Sequence, residues 1–358
     1  MNTGDDTRDV ILDVGGLQVK FYQDVGTVHA VNDVSFQVRA GQSVGIVGES
    51  GCGKTISTYS VLRLLPNNAR ITAGHVLYRR ADGQQIDLTE GDADGDLVRS
   101  IRGKEISMIF QEPMSALSPV HTIYDQMAES LILHTGATPE QAREKVIEML
   151  KLVGIPAPEQ RADEYIFQLS GGMRQRVMIA MALICDPRVL IADEPTTALD
   201  VTIQAQVLRL IKRMQDELGL ALVLITHDLG VIAHVTEYVY VMYLGQIMEE
   251  GPVSEVLVNP KHPYTTDLLR SIPKIADRNA KLAPIRGTVP DAYSVPPGCP
   301  YAERCTKVIE GVCTKARPAR TQVAENQFVR CYLYSDEADS NSLDVAASAD
   351  QGAPRGNG

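Results

Sequence analysis

The chain has 358 residues, 44% of them hydrophobic, enough to bury a full core as two domains or as one large domain with an appendage. Its net charge of −11 lacks the basic footprint of a general nucleic-acid binder. No apolar run approaches the ~18 residues that cross a bilayer, and the polar, acidic start "MNTGDDTRDV" is unlike a secretory signal, so a cytoplasmic chain is expected that meets a membrane only through partners.

Residues 10–47 read as β-rich, with alternating "LQVKF" and "VSFQV" on either side of "HAVND". The apolar run "SVGIV" then leads into "GESGCGKT", which fits G-x-x-x-x-G-K-[ST] with Gly48, Gly53, Lys54 and Thr55 at the fixed places and Ser50 and Gly51 between them. Glycines let backbone N–H groups converge on an anion, and the helix expected over "TISTYSVLRLL" adds the positive end of its dipole. Lys54 can then reach the outer phosphates and the Thr55 hydroxyl can ligate Mg²⁺. A glycine-rich surface turn would share the composition, but not the strand before and the helix after.

Residues 75–88 look like a hairpin around Asp82-Gly83, followed by an acidic loop at 90–96. From 115 to 168 the periodicity turns helical, with Thr138 and Gln141 forming a capping box, so a helical insert is expected inside an α/β domain. "RVLIADE" and "LALVLITHD" are continuous apolar runs, as in parallel strands buried on both faces, joined by helical "VTIQAQVLRLIKRMQDELG". Further strands and a helix fill 238–257. From about 283 the chain is rich in Pro and Cys, and the acidic tail after Ser335 is expected to be disordered.

Three apolar runs end in polar chemistry: the phosphate loop, Asp193-Glu194, and His227. Ligands of open α/β sheets bind beyond the carboxyl ends of the strands, so all three can meet at one nucleotide. Asp193 suits Mg²⁺, and Glu194 could polarise an attacking water, although a helix N-cap or an ion pair would also use such carboxylates.

Cys52 and Cys185 stand alone, whereas Cys299, Cys305, Cys313 and Cys331 crowd into 33 residues with the spacing C-x5-C-x7-C-x17-C. In a reducing compartment this suggests metal before disulfides. Four thiolates can hold Zn²⁺ or an iron–sulfur cluster, with plain thiols as the bland alternative. Pro296, Pro297, Pro300 and Pro318 suggest a loop-rich lobe with little core of its own, stabilised by the metal. Loss of the cysteines is then expected to unfold the lobe and spare the phosphate-loop chemistry.

"LSGGMRQR" (169–176), followed by "ADEPTTALD" (192–200) and "ITHD" (225–228), resembles the ATP-binding cassette ATPases over roughly residues 10–260. The resemblance implies a P-loop NTPase α/β fold: a RecA-like core sheet, an antiparallel β subdomain and a helical insert at about 115–170. It implies that Phe21, or else Tyr22, stacks on adenine; that Gln111 contacts Mg²⁺ or water; that Glu194 is the catalytic carboxylate; and that His227 meets the γ-phosphate. Ser170, Gly171 and Gly172 would close on the ATP held by another subunit, with Asp200 in the loop beside them. Phe21 could equally be a strand core residue, and Gln111 or His227 a structural hydrogen-bonder.

"FQEPMSALSPV", "HPYTTDLL" and "PPGCPYAERCTKVIEGVC" narrow the resemblance to ATPase subunits of oligopeptide/dipeptide importers, the first of the usual pair. "SPV" in place of "NPV" and "YIF" in place of "YPH" depart from that pattern. The family implies a [4Fe–4S] cluster at the cysteines rather than zinc, in an extension over 261–335 with the tail at 336–358. It also implies a second ATPase subunit, two permeases and a peptide-binding protein, at the cytoplasmic face of the membrane. A nickel-chelate importer is an alternative, as is a soluble ABC ATPase of DNA repair or translation. The latter predicts a long coiled coil or two cassettes, and the chain has one phosphate loop and an insert of about 50 residues. A regulatory protein using ATP only as a ligand would not need Glu194 and His227 intact.

Overall fold

A computed structural model describes residues 8–111, 116–197, 199–271 and 285–335. The tail expected to be disordered lies outside the described residues.

The chain opens with β1 (Val10–Gln23) and β2 (Gly26–Arg39), then enters the core with β3 (Ser43–Val47) and α1 (Lys54–Val61). It returns through β4 (Ala69–Arg79), β5 (Gln85–Asp87), α2 (Asp96–Ile101) and β6 (Ile106–Ile109). The antiparallel sheet runs β2-β1-β4-β5. Its β4–β5 turn is the hairpin read from Asp82-Gly83: Gly83 takes φ 86°, a left-handed value suited to glycine, and Arg80 N–H donates to Gln84 O at 2.9 Å.

The helical insert comprises α3 (Ile123–Thr135), α4 (Pro139–Leu152) and the short α5 (Pro158–Arg161), ahead of α6 (Gly171–Leu183). Thr138 and Gln141 exchange both bonds of the capping box at the start of α4. The chain then alternates through β7 (Val189–Asp193), α7 (Val201–Leu218), β8 (Ala221–Thr226), α8 (Leu229–Val235), β9 (Tyr238–Tyr243) and β10 (Gln246–Pro252). After α9 (Val253–Val256) and α10 (Pro263–Arg270) come the hairpin strands β11 (Thr321–Ala324) and β12 (Gln327–Val329).

The second sheet has the order β11-β12-β10-β9-β3-β8-β7-β6. Strands β9, β3, β8, β7 and β6 are parallel, and the last three at the other end are added antiparallel. Its central strands separate two cores, as period-two geometry requires. Leu190, Leu222, Leu224, Val239 and Val241 face the helical side, while Ile191, Val223, Ile225, Tyr240 and Met242 face the antiparallel sheet. This explains the continuous apolar runs: both faces are covered.

The C-terminal segment differs from the expected lobe. Strand β12 pairs with β10 (Glu249↔Val329, Glu250↔Phe328), so the segment extends the main sheet. Its buried residues Cys299, Tyr301, Ala302, Val312, Cys313 and Tyr332 belong to the same apolar cluster as the helical-side core. Two strands of three and four residues carry too little period-two signal to be read amid prolines.

Candidate functional site

Strand β3 delivers the phosphate loop between two backbones. A Cβ on Gly48 would lie 2.1 Å from Met242 O, and one on Gly53 (φ 98°) 2.3 Å from Ala30 O, so only glycine fits at either place. Lys54 is buried, its ammonium donating to Gly48 O at 2.8 Å and Glu49 O at 3.0 Å. Thr55 Oγ1 donates to Asp193 Oδ1 at 3.1 Å. Asp193 is fully buried at the end of β7, and its Oδ2 has no hydrogen-bond partner among the described residues. Burial pushes this carboxyl up to about 6, with the Thr55 hydrogen bond acting against it. A buried carboxylate with an unused oxygen, beside a hydroxyl on the phosphate loop, is a donor set that fits a hard cation such as Mg²⁺.

Glu194 is next in sequence and treated differently. It adopts a left-handed φ of 43°, which costs a non-glycine residue of order 1–3 kcal/mol, and its N–H is fixed by Ile225 O at 2.9 Å. Oε2 accepts from Thr197 Oγ1 at 2.9 Å and from Gln111 Nε2 at 3.2 Å, and Oε1 lies 3.4 Å from His227 Nδ1. Gln111 follows β6 and His227 follows β8, so three strand ends and the loop after β7 converge on one carboxylate.

The resulting cleft, of ≈ 510 Å³, is lined by Ser50, Gly51, Gly53, Lys54, Thr55, Gln111, Glu194 and His227, with Ala30 and Ile56. Asp193 is buried and hydrogen-bonded to the lining residue Thr55. Phe21 is half-buried against the core of the antiparallel sheet and outside that lining, while Tyr22 is half exposed. Ser170, Gly171, Gly172 and Asp200 lie elsewhere. Ser170 caps α6, accepting from Met173 N–H at 3.4 Å; Asp200 caps α7, accepting from Thr202 and Ile203 N–H at 3.0 Å. A Cβ on Gly171 would meet nothing within 4 Å.

Two linking groups escape sequence reasoning. Buried Gln175 on α6 donates to Pro195 O at 2.6 Å, joining the signature helix to the loop that bears Glu194. Glu49, an unspecified place in the phosphate-loop pattern, is gripped by Arg304 and Tyr264. The family-like "HPYTTDLL" contains Tyr264 and was the available signal; nothing in the pattern marks Arg304.

The four late cysteines share one electrostatic neighbourhood. Cys299 N–H donates to Cys313 O at 2.7 Å. The sulfurs of Cys305 and Cys313 accept backbone N–H from Lys307 and Ile309, both at 3.3 Å. Burial, reinforced by the neighbouring cysteines, pushes Cys299 up to about 12 and Cys331 up to about 11. Among the described residues no three His, Cys, Asp or Glu side chains gather as a single metal ion would need.

A phosphate loop whose threonine meets a buried aspartate, with a glutamate poised directly after it at the same strand end, defines an ATP-hydrolysing cassette. The family model "ABC transporter" matches residues 31–197, and the chain resembles a dimeric ATP-binding cassette solved with ADP and Pi, at 28% identity and a TM-score of 0.59, covering 68% of this chain and 99% of that one. The model "Oligopeptide/dipeptide transporter, C-terminal region" matches residues 248–313. The chain is 47% identical to a dipeptide transport ATP-binding protein of Bacillus subtilis, over 92% of this chain and 96% of that one. It is also 47% identical to a putative peptide import ATP-binding protein of Brucella ovis (93% and 99%) and 44% identical to an oligopeptide transport ATP-binding protein of Bacillus subtilis (93% and 99%). The chain belongs to the ATP-binding subunits of the oligopeptide/dipeptide ABC transporters. Among the described residues no helix is long and apolar enough to cross a membrane.

Proposed function

We propose that this chain hydrolyses ATP to power import of oligopeptides or dipeptides through a membrane ABC transporter. The observation that carries the chemistry is Glu194, held between Gln111, Thr197 and His227 beside the phosphate loop. Glu194 accepts a proton from water as the water oxygen attacks the γ-phosphorus and the bond to ADP breaks. His227 and Lys54 hold the γ-phosphate, backbone N–H groups of Ser50 to Thr55 cradle the rest, and Phe21 stacks on adenine. Mg²⁺, held by Thr55, Asp193 and Gln111, would neutralise charge on the outer phosphates.

The signature residues Ser170, Gly171 and Gly172, with Asp200, are exposed or half-exposed and away from the cleft, as a surface that closes on a second ATPase subunit must be. The same reading places the chain at the cytoplasmic face of the membrane, held there by two permeases, with a peptide-binding protein in the complex. It divides the chain into an ATPase unit over 10–260 and an extension over 261–335.

We further propose a [4Fe–4S] cluster on Cys299, Cys305, Cys313 and Cys331. Backbone N–H groups directed at the sulfurs of Cys305 and Cys313 suit bound thiolates, which need hydrogen bonds to stabilise their charge. Cys299, Cys305, Cys313 and Cys331 would hold the cluster, which would stabilise the loops that carry them. The test is uptake of labelled peptide by vesicles carrying the whole transporter. ATP-dependent uptake lost in Glu194→Gln supports the proposal; uptake independent of ATP, or unaltered by Glu194→Gln, overturns it. Anaerobic purification with iron and sulfide analysis decides the cluster, and absence of both overturns that part.

A further inference from the structure

The cysteine segment reaches the phosphate loop through Arg304. Arg304 ends a short 3-10 helix (Ala302–Arg304) of that segment, next to Cys305, with a side chain only 4% exposed. Its guanidinium clamps Glu49 in two-pronged fashion, Nη1 to Oε2 at 2.6 Å and Nη2 to Oε1 at 3.0 Å. Nη1 also donates to Tyr243 OH at 3.2 Å and Nε to Arg286 O at 2.7 Å. The rings of Tyr243 and Tyr301 lie 5.6 and 5.8 Å from its central carbon.

Glu49 is fully committed. Its carboxylate goes to Arg304, its N–H donates to Tyr264 OH at 2.9 Å, and its carbonyl accepts from Lys54 Nζ at 3.0 Å. Tyr243, Tyr264 and Tyr301 pack on one another at centroid distances of 4.7 to 5.3 Å, so both contacts to residue 49 from outside the loop come from one rigid aromatic block. A loop that binds phosphate by convergent N–H groups needs its backbone fixed beforehand, and residue 49 is where this block fixes it.

We propose that Arg304 is a positioning residue for ATP: through Glu49, the cysteine segment holds the phosphate loop in its nucleotide-accepting conformation. The proposal rests on the reading that the cleft binds ATP. Removing the clamp lets the loop occupy other conformations, and apparent affinity falls by the fraction of molecules that remain competent. Once ATP is bound the loop is restored, so the chemical step is spared. Without this role, loosening the segment would lower stability and leave ATP affinity alone.

The experiment is steady-state ATP hydrolysis by the assembled transporter carrying Glu49→Gln, Arg304→Lys, Arg304→Met or the double variant Glu49→Gln/Arg304→Met, with thermal unfolding measured in parallel. Glu49→Gln and Arg304→Met should raise KM for ATP about tenfold with kcat within about twofold. Arg304→Lys, which keeps charge but loses the fork, should fall between them and wild type. The double variant should be no worse than the worse single one, because both remove the same pair. If Arg304→Met does not fold, Glu49→Gln and Arg304→Lys carry the test. Unchanged KM in those two, with a lowered unfolding temperature, overturns the inference while leaving the cleft's function standing. A wild-type transporter that neither binds nor hydrolyses ATP removes both.

Discussion

The cleft and the signature face, both of which we propose serve phosphate, are built in opposite ways. In the cleft, side chains from four places in the chain already bond one another: Thr55 to Asp193, and Gln111, Thr197 and His227 to Glu194. On the signature face, Ser170 and Asp200 satisfy only the helix ends they cap, and Gly171 faces open space. A cross-braced site can be read as a whole from one chain. A face made of a helix N-terminus and small residues has its geometry supplied by whatever closes on it.

The largest expected effect tests the braced side. Glu194→Gln keeps shape and loses the proton acceptor, so turnover by the assembled transporter should drop about a thousandfold while ATP affinity stays within about twofold. A drop in affinity of the same size would mean that Glu194 is a binding residue and that the bracing serves another purpose.

Asp193 comes next. Its carboxyl is raised to about 6 in the fold from an ordinary value of 3.8, so the stability it permits is present below 3.8 and lost as pH rises through 6. Asp193→Asn should therefore stabilise the nucleotide-free and Mg²⁺-free chain by about 3 kcal/mol at pH 7.5, and by less at pH 5, while abolishing Mg²⁺-dependent turnover. Chemical denaturation at the two pH values measures it. A variant less stable than wild type would show that the buried oxygen is not the burden its missing partner implies.

The signature face is probed by Gly171→Asp. The new side chain has room and suits a helix N-terminus, so ATP binding by the lone chain should be unchanged. Turnover in the assembled transporter should fall some tens of fold as negative charge meets phosphate. Loss of binding in the lone chain would place the signature at the chain's own ATP and erase the contrast.

The smallest effect lies behind the cleft. His262 is buried, caps α10 through Nδ1, and is lowered by burial to about 3. Between 6.5 and 3 the unfolded chain takes up a proton that the folded one refuses, so stability falls as pH drops through that window. At pH 5.5 the loss relative to pH 7.5 should be about 1.4 kcal/mol greater in wild type than in His262→Asn, which keeps the capping acceptor.

Strand ends were the legible part. Glu194 and His227 each follow an apolar run, and buried parallel strands announce themselves by that continuity of Val, Ile, Leu and Ala, whereas Gln111 was available only through the family resemblance. The C-terminal segment was not legible, because its strands are short and its contacts distant. Arg304 meets Glu49 across 255 positions, a pairing no local pattern encodes. The expectation that losing the cysteines spares the phosphate loop follows from that blindness, and the Arg304–Glu49 pair argues against it. Phe21 was readable as a strand residue, and it lies on β1 half-buried against the antiparallel-sheet core.

The pairing of β12 with β10 also has a consequence in time. About 75 residues separate Pro252 from Gln327, so during synthesis at roughly 5–20 residues per second strand β10 waits several seconds with one edge bare. An unpaired edge recruits other strands. Ribosome-bound chains arrested near residue 300 should be more readily cleaved by protease around β10 than chains arrested beyond the tail, and crowded polysomes are where this protein is most exposed to pairing with its own neighbours.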